Sequence, residues 1–442
     1  MRVRHRIVAT VVVAFGAAFV VGLGAAAKRG ETDGTSVSVD LKATRQVIQG
    51  FGSTERLWND PHLGKAAGTD VPVAVQAQIL TALYGRLGLT RVRNYLDQGI
   101  ETAKGAPFNL SGKLTDAQVT WVKQAQRYGL KTFFPAPVYL EDWMQPDDPG
   151  GYVDYAMTIL RRWKQDGVEP PLYSPLNEPA ISNDFSPQWM HDVVLHLGQR
   201  LRAAGFRTKL VIPDDENPVD AYRRAAAVLQ DPAARQYVAA IAFHIYRESD
   251  TANVQRLRAL ATQYKLPLWM TEYSNTGYVD WNSSLDWAVR MHALLADGGV
   301  NAIDYLWAYF GSWVQSDTMI SIQFDNGTYR SFSYMPTYWI TGQYSRFVRP
   351  GYLRVGANPA DGNVLVSAYR GPKRAVVIAV NPTGSAQTLR VAVTGGKLRG
   401  VVRPVRSTAS EHWASLSPIT QRNGRFATTL PPQSVTTFVA TR

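Results

Sequence analysis

Two acidic residues stand where chemistry can be built: Glu178 in Asn177-Glu178-Pro179 and Glu272 in Thr271-Glu272-Tyr273. Each closes a short run of strand-forming residues. Two carboxylates from separate strand ends can face each other across one opening, and cleavage of a glycosidic bond needs such a pair, one protonated and one ionised. For Glu178 the alternatives are a helix N-terminal carboxylate or a structural ion pair. The neighbouring Asn177 favours chemistry, because an amide beside the acid can hydrogen-bond a sugar 2-OH. Glu272 follows the apolar run of WMTEYSN, where an unpaired charge would be costly.

Other polar residues fall on the same strands. Arg93 can reach the second carboxylate, holding Glu272 ionised and lowering its pKa. Arg91 lies on the same strand face by period two, so the pattern does not separate the two arginines. His244 and Tyr246 share a face at the end of another strand, where they can touch the carboxylate or a sugar; a satisfied interior histidine is the competing reading. Trp307 can floor a sugar subsite or simply fill the core. The run Asp214-Asp215-Glu216 has the makings of a cation site, but its spacing matches no known calcium loop, and a solvated loop and helix start is expected. No G-x-S-x-G elbow or Ser-His partnership is present.

These residues need a frame, and the strand runs supply one. They read VIQGFGS (47–53), TRVRNYL (90–96), KTFFPAPVY (131–139), LYSPLNEP (172–179), KLVIPDDEN (209–217), AAIAFHIYR (239–247), PLWMTEYSN (267–275) and AIDYLWAYF (302–310). Amphipathic helical stretches alternate with them, several closed by glycine. Eight such units predict an α/β fold, a (β/α)8 TIM barrel over residues 46–348, with catalytic groups at the C-terminal strand ends. A doubly wound sheet would carry fewer units, and no phosphate-binding glycine loop follows the first strand. From residue 349 to 442 the pattern changes to alternating strands between Gly, Pro and Asn turns, a β-sandwich side domain. Residues 28–45 hold a linker and a strand expected to join that sandwich.

Composition limits the partners. The chain has 442 residues, 12 Trp, 21 Tyr, no Cys and a net charge of +12. The positive charge lacks the runs or signatures of nucleic-acid binding, which is not expected. Without cysteine there are no disulfides, thiol nucleophiles or Cys-based metal sites. Residues 1–27 place Arg2, Arg4 and Arg6 before a long apolar run ending near Ala25 and Ala27, the pattern of a signal peptide or an uncleaved membrane anchor. The rest is therefore expected outside the cytoplasm, secreted or held at the outer membrane face, as a monomer. Membrane contact is expected only if that segment is retained.

VIQGFGS, LNEPA, HIY, WMTEY and SRFVRPGYLRV, continued by NVLVSAYRG, VVIAVN and PPQSVTTFV, resemble glycoside hydrolase family 30, especially its bacterial glucuronoxylanase branch. The resemblance spans nearly the whole chain beyond the N-terminal segment. It implies a retaining mechanism with Glu178 as acid/base and Glu272 as nucleophile, assisted by Asn177 and Arg93, with no metal or organic cofactor. Three departures concern substrate. YLWAYFGSW offers Gly311 and Ser312 where the family's glucuronate-gripping arginine is expected; PAPVYLEDW offers Val138 and Tyr139 for a tryptophan, with Trp143 close behind; and GFGG is GFGS, ending in Ser53. The expected substrate is a β-linked polysaccharide, xylan first. A β-1,6-glucan or galactan, or a glucosyl lipid, is the second reading, and a catalytically silent cell-surface carbohydrate-binding protein the third.

Overall fold

The structure is a computed structural model and describes residues 34–110, 116–145, 148–181, 185–314, 317–359 and 363–442. The signal-peptide or anchor segment and the start of the linker lie outside the described residues. Among the described residues no helix is long and apolar enough to cross a membrane.

Strand β1 (Thr35–Val47) precedes the barrel strands β2 (Gly50–Glu55), β3 (Arg91–Leu96), β4 (Thr132–Pro137), β5 (Leu172–Tyr173), β6 (Lys209–Asp215), β7 (Val238–His244), β8 (Leu268–Glu272) and β9 (Ala302–Tyr305). β2 to β9 form one sheet in the order β4-β3-β2-β9-β8-β7-β6-β5, with every described pairing parallel. The ends meet through Ser174 N–H to the Pro135 carbonyl (3.0 Å) and Asn177 N–H to the Pro137 carbonyl (2.9 Å), which closes the barrel.

A helix follows each strand: α1 (Val73–Leu80, extended by a π-type segment Thr81–Arg86), α2 (Asp116–Tyr128), α3 (Pro149–Gln165), α4 (Pro187–Ala203), α5 (Pro218–Gln230), α6 (Thr251–Gln263), α7 (Trp281–His292) and α8 (Pro336–Ser345). Their starts are written locally. Asp148, Ser186, Asn217, Asp250 and Asp280 cap the first turns with side-chain oxygens, and proline opens α3, α4, α5 and α8, where its missing N–H costs nothing. The strands are buried on both faces, as expected for parallel strands walled by helices.

Two strands depart from the sequence reading. β5 was expected to run to Pro179 but keeps only two residues: Pro175 has no N–H to give the ladder, and Glu178 turns left-handed at φ 47°. β9 was expected to reach Phe310 but stops at Tyr305. Trp307, at φ 49°, redirects the chain into a separate three-stranded sheet of β10 (Tyr309–Gly311), β11 (Ile320–Asp325) and β12 (Thr328–Tyr334).

The C-terminal strands, from β13 (Leu353–Pro359) to the last strand Ser434–Thr441, form a ten-stranded mixed sheet with β1. β1 pairs antiparallel with β13 and parallel with Gln387–Thr394. This sheet curls into a sandwich: Phe426 and Phe438, on strands far apart in its order, have rings 5.4 Å apart in a core with Val37, Val39 and Val377. The sandwich seats on α8 and α7. Thr437 Oγ1 donates to the Gln343 carbonyl (2.6 Å), and Trp281 Nε1 to the Gln433 carbonyl (2.7 Å). Gly342 is needed at this seam, because a Cβ there would lie 2.1 Å from the Trp413 ring.

Candidate active site

Within the barrel β3 aims Arg91 and Arg93 to the same side, but at different partners. Arg91 makes two hydrogen bonds to Asp304 (Nε to Oδ1, 2.9 Å; Nη2 to Oδ2, 3.0 Å) and lies 4.0 Å over the Trp269 ring, a buried structural pair. Arg93, one layer nearer the C-terminal ends, donates to Asp214 Oδ2 (2.9 Å), to Glu272 Oε2 (2.9 Å) and to Asn177 Oδ1. The structure thus separates the two arginines that period two left equivalent.

Asp214 is the hub beneath the site. Fully buried at the end of β6, it accepts from Ser174 Oγ (2.9 Å) and Thr271 Oγ1 (2.6 Å) as well as Arg93. Its backbone carbonyl accepts the Glu178 N–H at 2.9 Å, which ties the Glu178 turn to the end of β6. His244, at the end of β7, sits between Asp214 Oδ1 (Nε2, 3.3 Å) and Glu178 Oε1 (Nδ1, 2.8 Å). Tyr246 OH donates to Glu272 Oε1 at 3.0 Å, and Asn177 Nδ2 lies 3.5 Å from Glu178 Oε2. The side chains of Glu178 and Glu272 keep 15% and 8% exposure, whereas those of Arg93, Asp214 and His244 keep none. Substrate can therefore meet the two glutamates while their supports stay dry.

The helix start expected after Asp214-Asp215-Glu216 is present at Pro218, but the solvated loop is corrected at the two aspartates, which are buried. Asp215 is also fully buried, paired with Arg224 Nη1 at 2.9 Å, and it accepts the Ala180 N–H at 3.2 Å, fixing the turn just after Glu178. Arg224 also donates to the Phe185 carbonyl (2.8 Å). Both aspartates face inward because each has a buried arginine to neutralise it.

Burial works against ionised Asp214, yet Arg93, then His244 and Thr271, hold its carboxyl far below the usual range. Burial likewise pulls His244 down, but Glu272, Asp214 and Glu178 carry it up to about 10. Glu272 differs from expectation. Burial, reinforced by the Glu178 charge, outweighs His244 and Arg93 and raises its carboxyl above the ordinary value. Both Glu272 oxygens nevertheless receive hydrogen bonds, and Arg93 can only donate, an arrangement that suits the carboxylate. With Arg93 and His244 charged, two positive groups face the carboxyls of Asp214, Glu178 and Glu272.

One oxygen each of Glu178 and Glu272 and a nitrogen of His244 lie within 4.8 Å of one another, near enough to chelate a cation. The guanidinium on Glu272 and the imidazolium on Glu178 make that an electrostatically poor cation site.

Trp307, buried beside this group, packs against Tyr95 (5.1 Å between ring centroids) and Phe310 (4.8 Å), with the Arg56 guanidinium over both the Tyr95 and Trp307 rings. Tyr95 feels the charges of Glu272 and Arg93, so it links Trp307 to the site. Tyr95 and Arg56 were missed by the sequence reading, although the period that aligns Arg91 and Arg93 continues to Tyr95. Tyr139 is about half exposed and electrostatically coupled to Tyr95. Trp143 donates to the Glu101 carbonyl (2.6 Å) rather than to either glutamate.

No family model matches the chain. Glucuronoxylanase XynC of Bacillus subtilis (strain 168) is 24% identical over 438 residues, covering 92% of each chain. Among solved structures, a GH30 endoxylanase from Clostridium papyrosolvens C71 superposes with a TM-score of 0.74 at 24% identity, and the catalytic domain of GH30 xylanase C from Talaromyces cellulolyticus with 0.76 at 22%. Each covers 92% of this chain and 100% of its own. The chain is thus similar over nearly its full length to that glucuronoxylanase, and it shares the barrel and side sheet of the two structures.

Proposed function

We propose that this glycosyl hydrolase cleaves a β-linked, xylan-like polysaccharide by double displacement, with Glu272 as nucleophile and Glu178 as acid/base. The observation that carries the reading is the spacing. One oxygen of each glutamate lies within 4.8 Å of the other, a close approach that supports the roughly 5–5.5 Å carboxyl separation of retaining enzymes over the roughly 6.5–9.5 Å of inverting pairs.

Glu272 attacks the anomeric carbon while Glu178 passes its proton to the leaving oxygen; Glu178 then takes a proton from the water that releases the glycosyl-enzyme. Arg93 and Tyr246 steady the charge on Glu272 before that bond forms and again as it breaks. In this reading Asn177, held by Arg93, meets the sugar 2-OH, and Trp307 floors the subsite. Xylan is favoured because the full-length sequence relative is a glucuronoxylanase and the two structural relatives are xylanases. Export of a monomer after cleavage near residue 27 belongs to the same proposal.

The test is product analysis on xylan, glucuronoxylan and β-1,6-glucan, with the anomeric configuration of the first product followed by NMR. Retention on xylan is expected. Glu272→Ala and Glu178→Gln should stay folded and lose nearly all turnover; near-normal activity in either, or an inverted product, overturns the assignment.

A further inference from the structure

A second cavity, of about 570 Å³, opens on the flank of the barrel between the C-terminal end of α1, α8 and the 412–413 corner of the side domain. None of its lining residues belongs to the strand ends that carry Glu178 and Glu272. Its size is that of a small-molecule site, and its chemistry is uneven. Three guanidiniums line it, from Arg86, Arg346 and Arg349, and among the described residues none of them has a carboxylate within ion-pair distance. Arg349 donates only to the carbonyls of Gly88 and Ser345. Arg346 lies 4.1 Å over the Trp413 ring. Partial burial, and then the Arg86 charge, lower the Arg346 guanidinium against a pull from Tyr338. Most other arginines near the barrel interior have an acidic partner, so three like charges left facing one cavity mark a place where an anion would be welcome.

The remaining wall is aromatic. Trp339 stacks on His412 with centroids 4.4 Å apart and planes 6° from parallel, and packs edge-on to Trp413 at 4.7 Å. Tyr334, half-buried, sits 5.4 Å from Trp339. Such rings offer flat apolar faces, and guanidiniums offer paired donors that match a planar carboxylate.

We propose that this flank cavity binds a carboxylate-bearing saccharide, a uronic acid residue on an oligosaccharide, outside the catalytic cleft. The pyranose ring packs against the aromatic wall of His412, Trp339 and Tyr334, and the uronate carboxylate lies between Arg86 and Arg346. The choice of an acidic sugar over other anions rests on the glycan reading above; the site itself does not. Such a site would hold an acidic polysaccharide against the barrel while the cleft works on a different stretch of it.

The experiment uses the full chain silenced by Glu272→Ala and titrates it calorimetrically with xylotriose bearing one glucuronate, with neutral xylotetraose and with inorganic phosphate. The acidic probe should show one more site than the neutral probe. Arg86→Gln/Arg346→Gln should weaken that additional site on the order of tenfold and leave neutral-probe binding unchanged. Arg86 is exposed, so Arg86→Gln alone gives the same direction should the double variant misfold. Equal stoichiometry for acidic and neutral probes, no effect of either variant, or phosphate binding as tightly as the acidic sugar would each overturn the proposal. Because binding is read in a silenced enzyme, failure to cleave xylan would bear on the proposed function alone, whereas loss of the additional acidic site would bear on this proposal alone.

Discussion

Replacing Arg93 by methionine removes the charge while keeping an apolar stem of similar reach. In the native site Arg93 is fully buried and serves two buried carboxylates, Asp214 and Glu272, each at 2.9 Å, besides the Asn177 amide. Each charge-assisted bond contributes about 1.5–3 kcal/mol, and stranding a buried partner costs about 3–5 kcal/mol. Two such bonds sum to about 3–6 kcal/mol, a range that overlaps the cost of breaking a buried pair, so a loss of about 3–6 kcal/mol is expected at pH 7, measured by urea unfolding. The pH dependence sharpens this. In the parent, Asp214 is held far below its unfolded value, so its contribution is complete above the unfolded pKa and lost only as pH falls through the depressed one. In Arg93→Met burial reasserts itself, a carboxyl takes up a proton on folding, and the penalty should shrink by about 1.4 kcal/mol per pH unit for each proton as pH drops from 7 toward 5. Adding Asp214→Asn to that variant should recover part of the loss at pH 7. A loss below about 1 kcal/mol, or one that is flat between pH 7 and 5, would show that Arg93 is not the counter-charge the geometry makes it.

Burial raises Glu272, and in the proposed mechanism it attacks as the carboxylate, so kcat/KM should fall as pH drops through its raised pKa. Tyr246→Phe removes a donor from Oε1, so it should move that acid limb to higher pH and lower kcat about tenfold; a pH-rate profile reads both. Gly52→Ala places a Cβ 2.3 Å from Asp304 Oδ1 and 2.6 Å from the Arg91 Cβ, and should cost about 1–3 kcal/mol by thermal unfolding. At Asp214, φ 64°, asparagine tolerates the left-handed backbone better than alanine, so Asp214→Ala should be less stable than Asp214→Asn by about 1 kcal/mol in paired urea melts. Equal stability would mean that the backbone at Asp214 is not strained.

The barrel was legible because each unit announces itself locally: a buried strand run, then a capped, proline-opened, amphipathic helix. Local signals were also what the misreadings ignored. The β11–β12 hairpin is written in Asp325-Asn326-Gly327-Thr328, with Asn326 and Gly327 both at positive φ, as a tight hairpin turn requires. Pro175, inside the expected β5, marked where that strand had to end. The aspartate hub was not legible in this way. Asp214 is neutralised by an arginine 121 positions away, and no local pattern tells a buried, paired Asp-Asp step from a solvated one. The same holds for Arg91 and Arg93, whose fates are decided by Asp304 and Glu272 on strands met only when the barrel closes.

That closure also explains why the site tolerates an unfavourable backbone. Glu178, Asp214 and Trp307, all non-glycine residues at positive φ, stand at the C-terminal ends of three strands around one opening. Each costs on the order of 1–3 kcal/mol relative to a relaxed conformation. They persist because the surrounding bonds fix them: the Glu178 N–H is held by the Asp214 carbonyl, Asp214 by four side chains, and Trp307 between Tyr95 and Phe310. In an extended conformation Glu178 would continue the path of β5; the left-handed turn breaks that path and leaves its carboxyl against His244 and within reach of Glu272. The buried charge network and the strained turns are therefore one device. The Arg93–Asp214–His244 hub stabilises the backbone geometry that brings one oxygen of each glutamate within 4.8 Å of the other, the close approach on which the proposed covalent intermediate depends.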